Sequence, residues 1–343
     1  MVVTDGLKTQ ESFQQDIATW LQVAAGLQVS GAAETSVLQS ATATGNPLFY
    51  PSWEILPHEE RLPHADVISE RLETLVALLA QSTAHSPRRT PLIVTSLAAL
   101  LQRTFPRETL RARTRRVARG ERIEPLDLVE WLEEQGYEPE AQVTQKGELA
   151  LRGGILDIFP LTSPWPVRLE FFGDELESLR HFDPLTQISR EEIAGVTLPP
   201  AGELGLLKQS TVQLVRRGPG EGGSPQSTAQ PLGSLLDYLP PDTLLLLCEP
   251  ELLGERADEY ERQVPKHDPF FIGWGEFREQ AEAKGMTVLS VAEGDLAEPS
   301  ATEGNEGNQE TNESSRLSFE SLDAYRPLAE RPPEPQVAEA QRR

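Results

Sequence analysis

A strand-then-helix pattern that breaks off in mid-chain and resumes later constrains this sequence more than any other feature. Leu48, Phe49 and Tyr50 form a short apolar run cut by Pro51, which reads as a buried strand. Val67, Ile68, Leu72, Leu75, Val76 and Leu79 then repeat at the helical period, with Asp66 placed to help start the helix. The run LIVTS is strand-like, and SLAALLQRTF reads as a short helix with Ser96 at its N-cap position. That succession predicts a parallel α/β sheet. It returns only from LGSLLDYLPP onward, where a short helix leads into the apolar run Thr243–Cys248 and a further helix. Between about Arg119 and Pro200 the period changes. AQVTQKGELALRGGILDIFP, WPVRLEFFGDE and LESLRHFDPLTQ are three strand candidates, and the short connections between them imply antiparallel pairing. One α/β domain interrupted by a β-rich insert satisfies both patterns.

The flanks carry weaker signals. Residues 1–45 show helical spacing through Phe13, Ile17, Leu21, Ala24 and Ala25, broken by Gly26 and Gly31, and are set apart as a weakly defined N-terminal segment. TLRARTRRVARGER, from Thr109 to Arg122, alternates loosely and fits an exposed strand leading into the new unit. LDLVEWLEEQGY is an amphipathic helix ended by Gly136. AHSPRRTP is a turn, and RRGPGEGGSPQSTAQP is a Gly/Pro/Ser loop. From Glu293 the chain is acidic, polar and low in complexity, the composition of a disordered linker. The weak apolar motif SFESLDAYRPL and a helix-like start, PQVAEAQRR, follow it. The expected organisation is therefore 1–45, then 46–118 and 201–292 as two parts of one α/β domain, 119–200 as the insert, and 293–343 as linker.

Several function classes find no residues to stand on. The formal net charge of −23 repels nucleic acid at long range, so unaided DNA binding would need a local basic patch such as Arg111–Arg122. One cysteine, Cys248, can build neither an internal disulfide nor a cysteine-based zinc site, which fits a reducing cytoplasm. The N-terminus lacks the basic-then-apolar order of a secretory signal, and the longest apolar run is far short of the ~20 residues of a membrane helix. No G-x-x-x-x-G-K-[ST] occurs: GLQVSGAAET has glycines without the lysine, and LLLLCEPE offers a Glu but not an Asp-Glu pair. His58 and His64, beside Glu59 and Asp66, are more simply the polar residues of a helix-entry loop than metal ligands. No enzyme activity, cofactor or metal is expected, and with no heptad repeat the chain is expected to be a monomer.

PVRLEFFGDE remains. At a strand period of two, Val167, Leu169 and Phe171 point one way and Arg168, Glu170 and Phe172 the other. The first set is apolar and should face the insert's own core. The second places an aromatic ring and a guanidinium on one strip. Arg152, on the preceding strand, can join them, although Gly153-Gly154 reads as a bulge that blurs the phase. Phe172 could simply pack under a loop. Alternatively, arginine beside an aromatic is the composition enriched at protein-binding hot spots.

GELALRGGILDIFPLTSPWPVRLEFFGDELESLRHFDPLTQIS resembles the segment shared by bacterial transcription-repair coupling factors and the UvrB subunit of nucleotide excision repair. LFYPSWEILPHEERLPHADVISERLETLVAL and LGSLLDYLPPDTLLLLCEPELL resemble the two halves of the coupling factors' first α/β domain. The resemblance runs from about Asn46 to Ala292. It implies a Rossmann-like, degenerate P-loop NTPase-type α/β domain split by an inserted UvrA-binding domain. It implies UvrA as partner, with the contacting residues falling on Arg152, Arg168 and Phe172. UvrB carries a Walker lysine and a tyrosine-rich hairpin that this chain lacks, so the coupling factors are the better match. Their polymerase-binding, motor and C-terminal masking domains have no counterpart here, so RNA polymerase and DNA are expected as partners of the longer relatives. The chain is then expected to be an ATP-independent adaptor in DNA repair. The alternatives are a nucleic-acid-binding piece using Arg111–Arg122, or a remnant without a partner.

Overall fold

A computed structural model describes residues 1–28, 47–81, 91–209 and 232–292. The turn at 84–91, most of the Gly/Pro/Ser loop at 216–231, Gly31 and the linker from Glu293 lie mostly or wholly outside the described residues. Five strands form a parallel sheet: β1 (Val2–Thr4), β2 (Leu48–Tyr50), β3 (Ile93–Ser96), β12 (Leu244–Cys248) and β13 (Thr287–Val291). Their order is β13-β12-β1-β3-β2, so strands from both sides of the insert belong to one sheet. The helices α1 (Leu7–Gln28), α2 (Ala65–Gln81), α3 (Leu97–Leu101), α6 (Pro250–Gln263) and α7 (Trp274–Ala283) accompany it. Leu72, Leu75, Leu97, Leu100, Leu245, Leu253 and Phe277 are buried in the common core.

Setting residues 1–45 apart does not hold for residues 1–28. They supply β1, the middle strand, and α1. Val2 pairs with both Val94 and Leu246, and the Met1 amino group donates to Leu244 O at 2.7 Å. The signal was missed because three residues, Val-Val-Thr, are too few for periodicity to register. From α1, the buried Gln10 amide donates to Tyr50 O and Val94 O, both at 3.0 Å, tying the helix to β2 and β3.

The insert is a second unit. A six-stranded sheet runs β10-β9-β8-β7-β6-β5, formed by β5 (Glu138–Pro139), β6 (Glu148–Arg152), β7 (Ile155–Ile158), β8 (Val167–Phe172), β9 (Glu175–Phe182) and β10 (Ser189–Glu192). All neighbours are antiparallel except β5 and β6. Its inner face, Leu149, Leu156, Ile158, Val167, Leu169 and Leu179, packs in one buried cluster with Leu128 and Leu132 of α5 (Pro125–Glu134). The run 109–122 is not one exposed strand. It is the end of α4 (Arg107–Ala112) followed by β4 (Arg115–Ala118), in which Val117 is fully buried. β4 pairs antiparallel with β11 (Gly195–Leu198), Leu198 opposite Arg115, so the entering and leaving chains form a two-stranded stem. The short helix expected in LGSLLDY is a 3-10 helix (Leu235–Tyr238). Among the described residues no helix is long and apolar enough to cross a membrane.

Directly beyond the stem, Glu203 enters the α/β core. Its carboxylate accepts from Arg71 Nε (2.7 Å) and Nη2 (3.1 Å), Trp53 Nε1 (2.9 Å) and Thr104 Oγ1 (2.7 Å). Arg71 also donates to Pro51 O at 2.9 Å, and its guanidinium lies 4.3 Å and 4.7 Å from the ring centroids of Tyr50 and Trp53. Both side chains of the pair are fully buried. The insert is also clamped from outside this site. Leu161 is buried in the α/β core cluster, Ser69 of α2 donates to its carbonyl, and Lys146 Nζ donates to Ser69 Oγ at 2.6 Å.

Removing one member strands a buried charge. Glu203→Leu or Arg71→Met alone should each lower the unfolding free energy by about 3–5 kcal/mol, and the double substitution should cost much less than their sum. Denaturant unfolding of the four proteins in this cycle measures the difference.

Candidate protein-binding face of the inserted unit

The outer face of the six-stranded sheet is fixed by register. Arg152, Ile155, Glu170 and Ser178 form one cross-strand row on β6, β7, β8 and β9. Ala150, Asp157, Arg168 and Arg180 form the next row on the same face. The expected bulge at Gly153-Gly154 is instead a two-residue hairpin turn, with Arg152 opposite Ile155, and it divides one strand candidate into β6 and β7. Gly153 takes φ +62°, the left-handed value that a primed hairpin turn needs at its first central position. The irregular register lies further on, where β9 slips opposite Glu170 and Phe171. Because the extra residue is on β9, β8 keeps its own alternation, and Phe172 stays on the face of Arg168.

The three residues singled out in the sequence come together differently from the expectation. Asp157, which the sequence reading passed over, is fully buried and holds both arginines. Arg168 donates from Nε to Asp157 Oδ1 (2.7 Å) and from Nη2 to Oδ2 (2.9 Å), and Arg152 Nη2 donates to Oδ2 as well. The fork of Arg168 is thus already occupied by a carboxylate within its own sheet. Its guanidinium also stacks 4.6 Å from the ring centroid of the buried Phe182, and its side chain is only 15% exposed. The hydrogen bonds to Asp157 push the Arg168 guanidinium further above its ordinary pKa. Arg152 is 47% exposed. Arg180 stands directly opposite Arg168 and is offset by Glu192 at 3.2 Å.

Phe172 is 76% exposed. It is the last residue of β8 before the two-residue turn Gly173-Asp174, with Glu175 opposite. The Gly153-Gly154 turn lies at the same end of the sheet, where Phe171 N donates to Gly154 O at 2.8 Å. Glycines there offer no side chain to cover the ring. A Cβ on Gly154 would meet Phe171 O at 2.8 Å, so the approach that places β8 beside this turn requires glycine.

At the other end, the β9–β10 connection folds over Arg168. Gln187 O accepts from Arg168 Nη1 at 3.3 Å. Asp183 Oδ1 accepts from Leu185 N (3.0 Å) and Thr186 N (2.9 Å), and Arg190 Nη2 donates to its Oδ2 at 3.1 Å. Gln187 adopts φ +60° and is held there by its backbone N–H to Asp183 O (2.7 Å) and by its amide to Val143 O (3.0 Å) and Pro184 O (2.8 Å). Arg190 in turn lies 3.6 Å from the centroid of Trp165.

The other candidate residues separate. Arg111, Arg115, Arg119 and Arg122 each stand against a carboxylate: Glu108, Glu121, Glu192 and Glu175 respectively. His64 contacts Asp66 at the entry to α2, and no group of three or more possible metal ligands occurs among the described residues.

Comparison with known proteins gives the inserted unit its class. Residues 116–204 match the family model of the UvrB interaction domain, a span that begins on β4 and ends just past Glu203. The chain therefore carries a UvrB interaction domain, the stem included. Beyond that domain, the chain is similar to transcription-repair-coupling factors, which makes it a relative of DNA-repair proteins. It is 34% identical over 172 residues to the factor from Haemophilus influenzae, covering 50% of this chain and 14% of that protein. The Escherichia coli factor is 32% identical over 218 residues (57% and 18%), and that of Bacillus subtilis 28% over 275 (69% and 22%). The matched stretches thus span about a fifth or less of those relatives.

Two outcomes follow from this geometry. Asp157→Ala leaves a largely covered guanidinium without its carboxylate and should destabilise the insert by about 3 kcal/mol, the low end for a broken buried pair because Arg152 is half exposed. Chemical denaturation checks it. The backbone hydrogen bonds from Thr186 and Leu185 hold the Asp183 carboxyl below its ordinary 3.8. A depressed carboxylate stabilises above its unfolded value and loses that contribution as pH falls through the folded one. Protection of the Leu185 and Thr186 amides should thus persist to about pH 3.8 and fall below it, as NMR exchange across an acid series can follow.

Proposed function

We propose that this chain is an ATP-independent adaptor that recruits UvrA through the outer face of its inserted domain. The exposed Phe172, on the same face as Arg152 and Arg168, carries this reading. A large ring held at a rigid sheet end beside fixed guanidinium groups has the make-up of an interface anchor. The family match supports a protein-binding role for the unit, and the similarity to transcription-repair-coupling factors supports a role in excision repair. On this reading the α/β unit is a degenerate P-loop NTPase-type domain that retains its sheet as a platform and binds no nucleotide. On the same reading, RNA polymerase and DNA are partners of the longer relatives.

The roles of the three residues differ. Phe172 meets the partner. Arg152 offers it the guanidinium nitrogens that Asp157 does not occupy. Arg168 chiefly sets the shape of the face, because its carboxylate-binding edge is taken. The nucleic-acid reading of Arg111–Arg122 is disfavoured, since four of its arginines stand beside carboxylates on a chain of net charge −23.

Phe172→Ala is the clean test, because the ring is exposed and its loss should leave the unfolding transition in place. Binding to purified UvrA, measured by calorimetry, should weaken by about 2 kcal/mol. Unchanged affinity would remove the assignment. Arg168→Ala should weaken binding too, but with a lowered melting temperature that Phe172→Ala does not show.

A further inference from the structure

We propose that the partner-binding face has a second anchor, Leu185 and Ile188 in the β9–β10 connection, and that one protein partner spans from Phe172 to this loop. This rests on the reading of the face as the UvrA-binding surface. Leu185 is 89% exposed and Ile188 66%. Neither exposure comes from a loose loop. Three hydrogen bonds converge on the Asp183 carboxylate, Asp183 N donates to Ile188 O at 3.0 Å, and Gln187 is held in a left-handed conformation that non-glycine residues rarely adopt. Ordering a connection this thoroughly while leaving its two largest aliphatic side chains in water gains nothing for the isolated fold. It does lower the entropy lost when another surface closes on them.

The loop is continuous with the face already described. Arg168 joins the two, with its Nε and Nη2 on Asp157 and its Nη1 on Gln187 O. Along β9, Glu175 stands opposite Phe172, and Phe182 lies at the loop end, seven residues on. At about 3.4 Å per residue, the two anchors are roughly 20 Å apart. That separation suits a standard interface of about 800 Å² per partner, whereas Phe172 with two arginines would cover a small part of one. Ile155, partly exposed in the row of Arg152, lies between them.

Charge narrows the partner's chemistry. On this face Arg152 and Arg168 share Asp157, Arg180 is offset by Glu192, and Arg190 by Asp183. With Glu170 in the row of Arg152, the four arginines meet four carboxylates. A strip balanced in this way, on a chain of net charge −23, fits a folded protein surface with two apolar recesses and hydrogen-bond acceptors between them. It suits a polyanion poorly.

The test compares four proteins for binding to purified UvrA by calorimetry: the parent chain, Phe172→Ala, the double variant Leu185→Ser/Ile188→Ser, and Leu126→Ser. Leu126 is an exposed residue on α5, the helix on the opposite side of the sheet, and serves as control. The double variant should bind at least tenfold more weakly with an unchanged melting temperature, while Leu126→Ser binds like the parent. If Phe172→Ala weakens binding and the double variant does not, the second anchor is wrong and UvrA recruitment stands. If neither matters, or the parent does not bind, both readings fall together. Equal weakening by all three variants would mean a general loss of surface hydrophobicity and would also overturn the anchor. Sedimentation of the parent and the double variant covers the remaining occupant. Self-association that the double substitution abolishes would assign the loop to a second copy of this chain and overturn the proposal.

Discussion

A guanidinium and a carboxylate sealed together in the α/β core, where the chain leaves the insert, are the constraint on which this architecture turns. Taking Arg71 and Glu203 out of water costs several kcal/mol per ion, and their attraction offsets that only if nearly every donor and acceptor is matched. The match is supplied by groups far apart in sequence: Pro51 and Trp53 after β2, Thr104 after α3, and Glu203 just past the stem. The pair is complete only when the insert has folded far enough for β4 and β11 to deliver Glu203. It therefore gives the α/β unit a polar requirement on the geometry of its own interruption, which an apolar contact would not impose.

A second carboxylate does similar work on the outer face. Arg152 and Arg168 come from different strands, and Arg168 stands across from a third arginine on β9. Three guanidinium groups in two adjacent rows would repel one another and keep their side chains mobile. Asp157, one strand away from each of the first two, fixes them. The face that results is rigid and nearly neutral. Its affinity for a protein rests on shape and apolar anchors more than on long-range attraction, consistent with the acidity of the rest of the chain.

How far these features could be read from the sequence depended on whether their cause was local. The split of the α/β pattern was legible because LIVTS and TLLLLC are each apolar enough to stand alone. The side on which Phe172 lies was legible because period two holds along β8, the register slip being carried by β9. β1 was not legible, since a strand of three residues is defined by its neighbours and not by itself. Gly153-Gly154 was ambiguous in kind: glycine permits both a bulge and a hairpin turn, and long-range pairing decides between them. Two signals were present and went unused. Arg71 falls in the apolar stripe of α2 with Ile68, Leu72 and Leu75, and Asp157 lies between Leu156 and Ile158. A charge set into an otherwise apolar pattern requires an opposite charge elsewhere.

The same reasoning separates two meanings of arginine on a strand. A guanidinium whose fork is free suits an acidic partner. One whose fork is filled by a buried aspartate is part of the scaffold, and a partner meets only its edge. Arg168 is of the second kind and Arg152 lies between the two, although in sequence they look alike. The difference comes from Asp157, which the β6–β7 hairpin brings beside Arg152 and the β7–β8 register brings beside Arg168. Composition can therefore mark a strand face as suited to binding, but the roles of its residues follow from cross-strand register. By that measure, the groups left to meet a partner are the ones that nothing in the sheet has claimed: the ring of Phe172 at one end, and the aliphatic side chains of the pinned loop at the other.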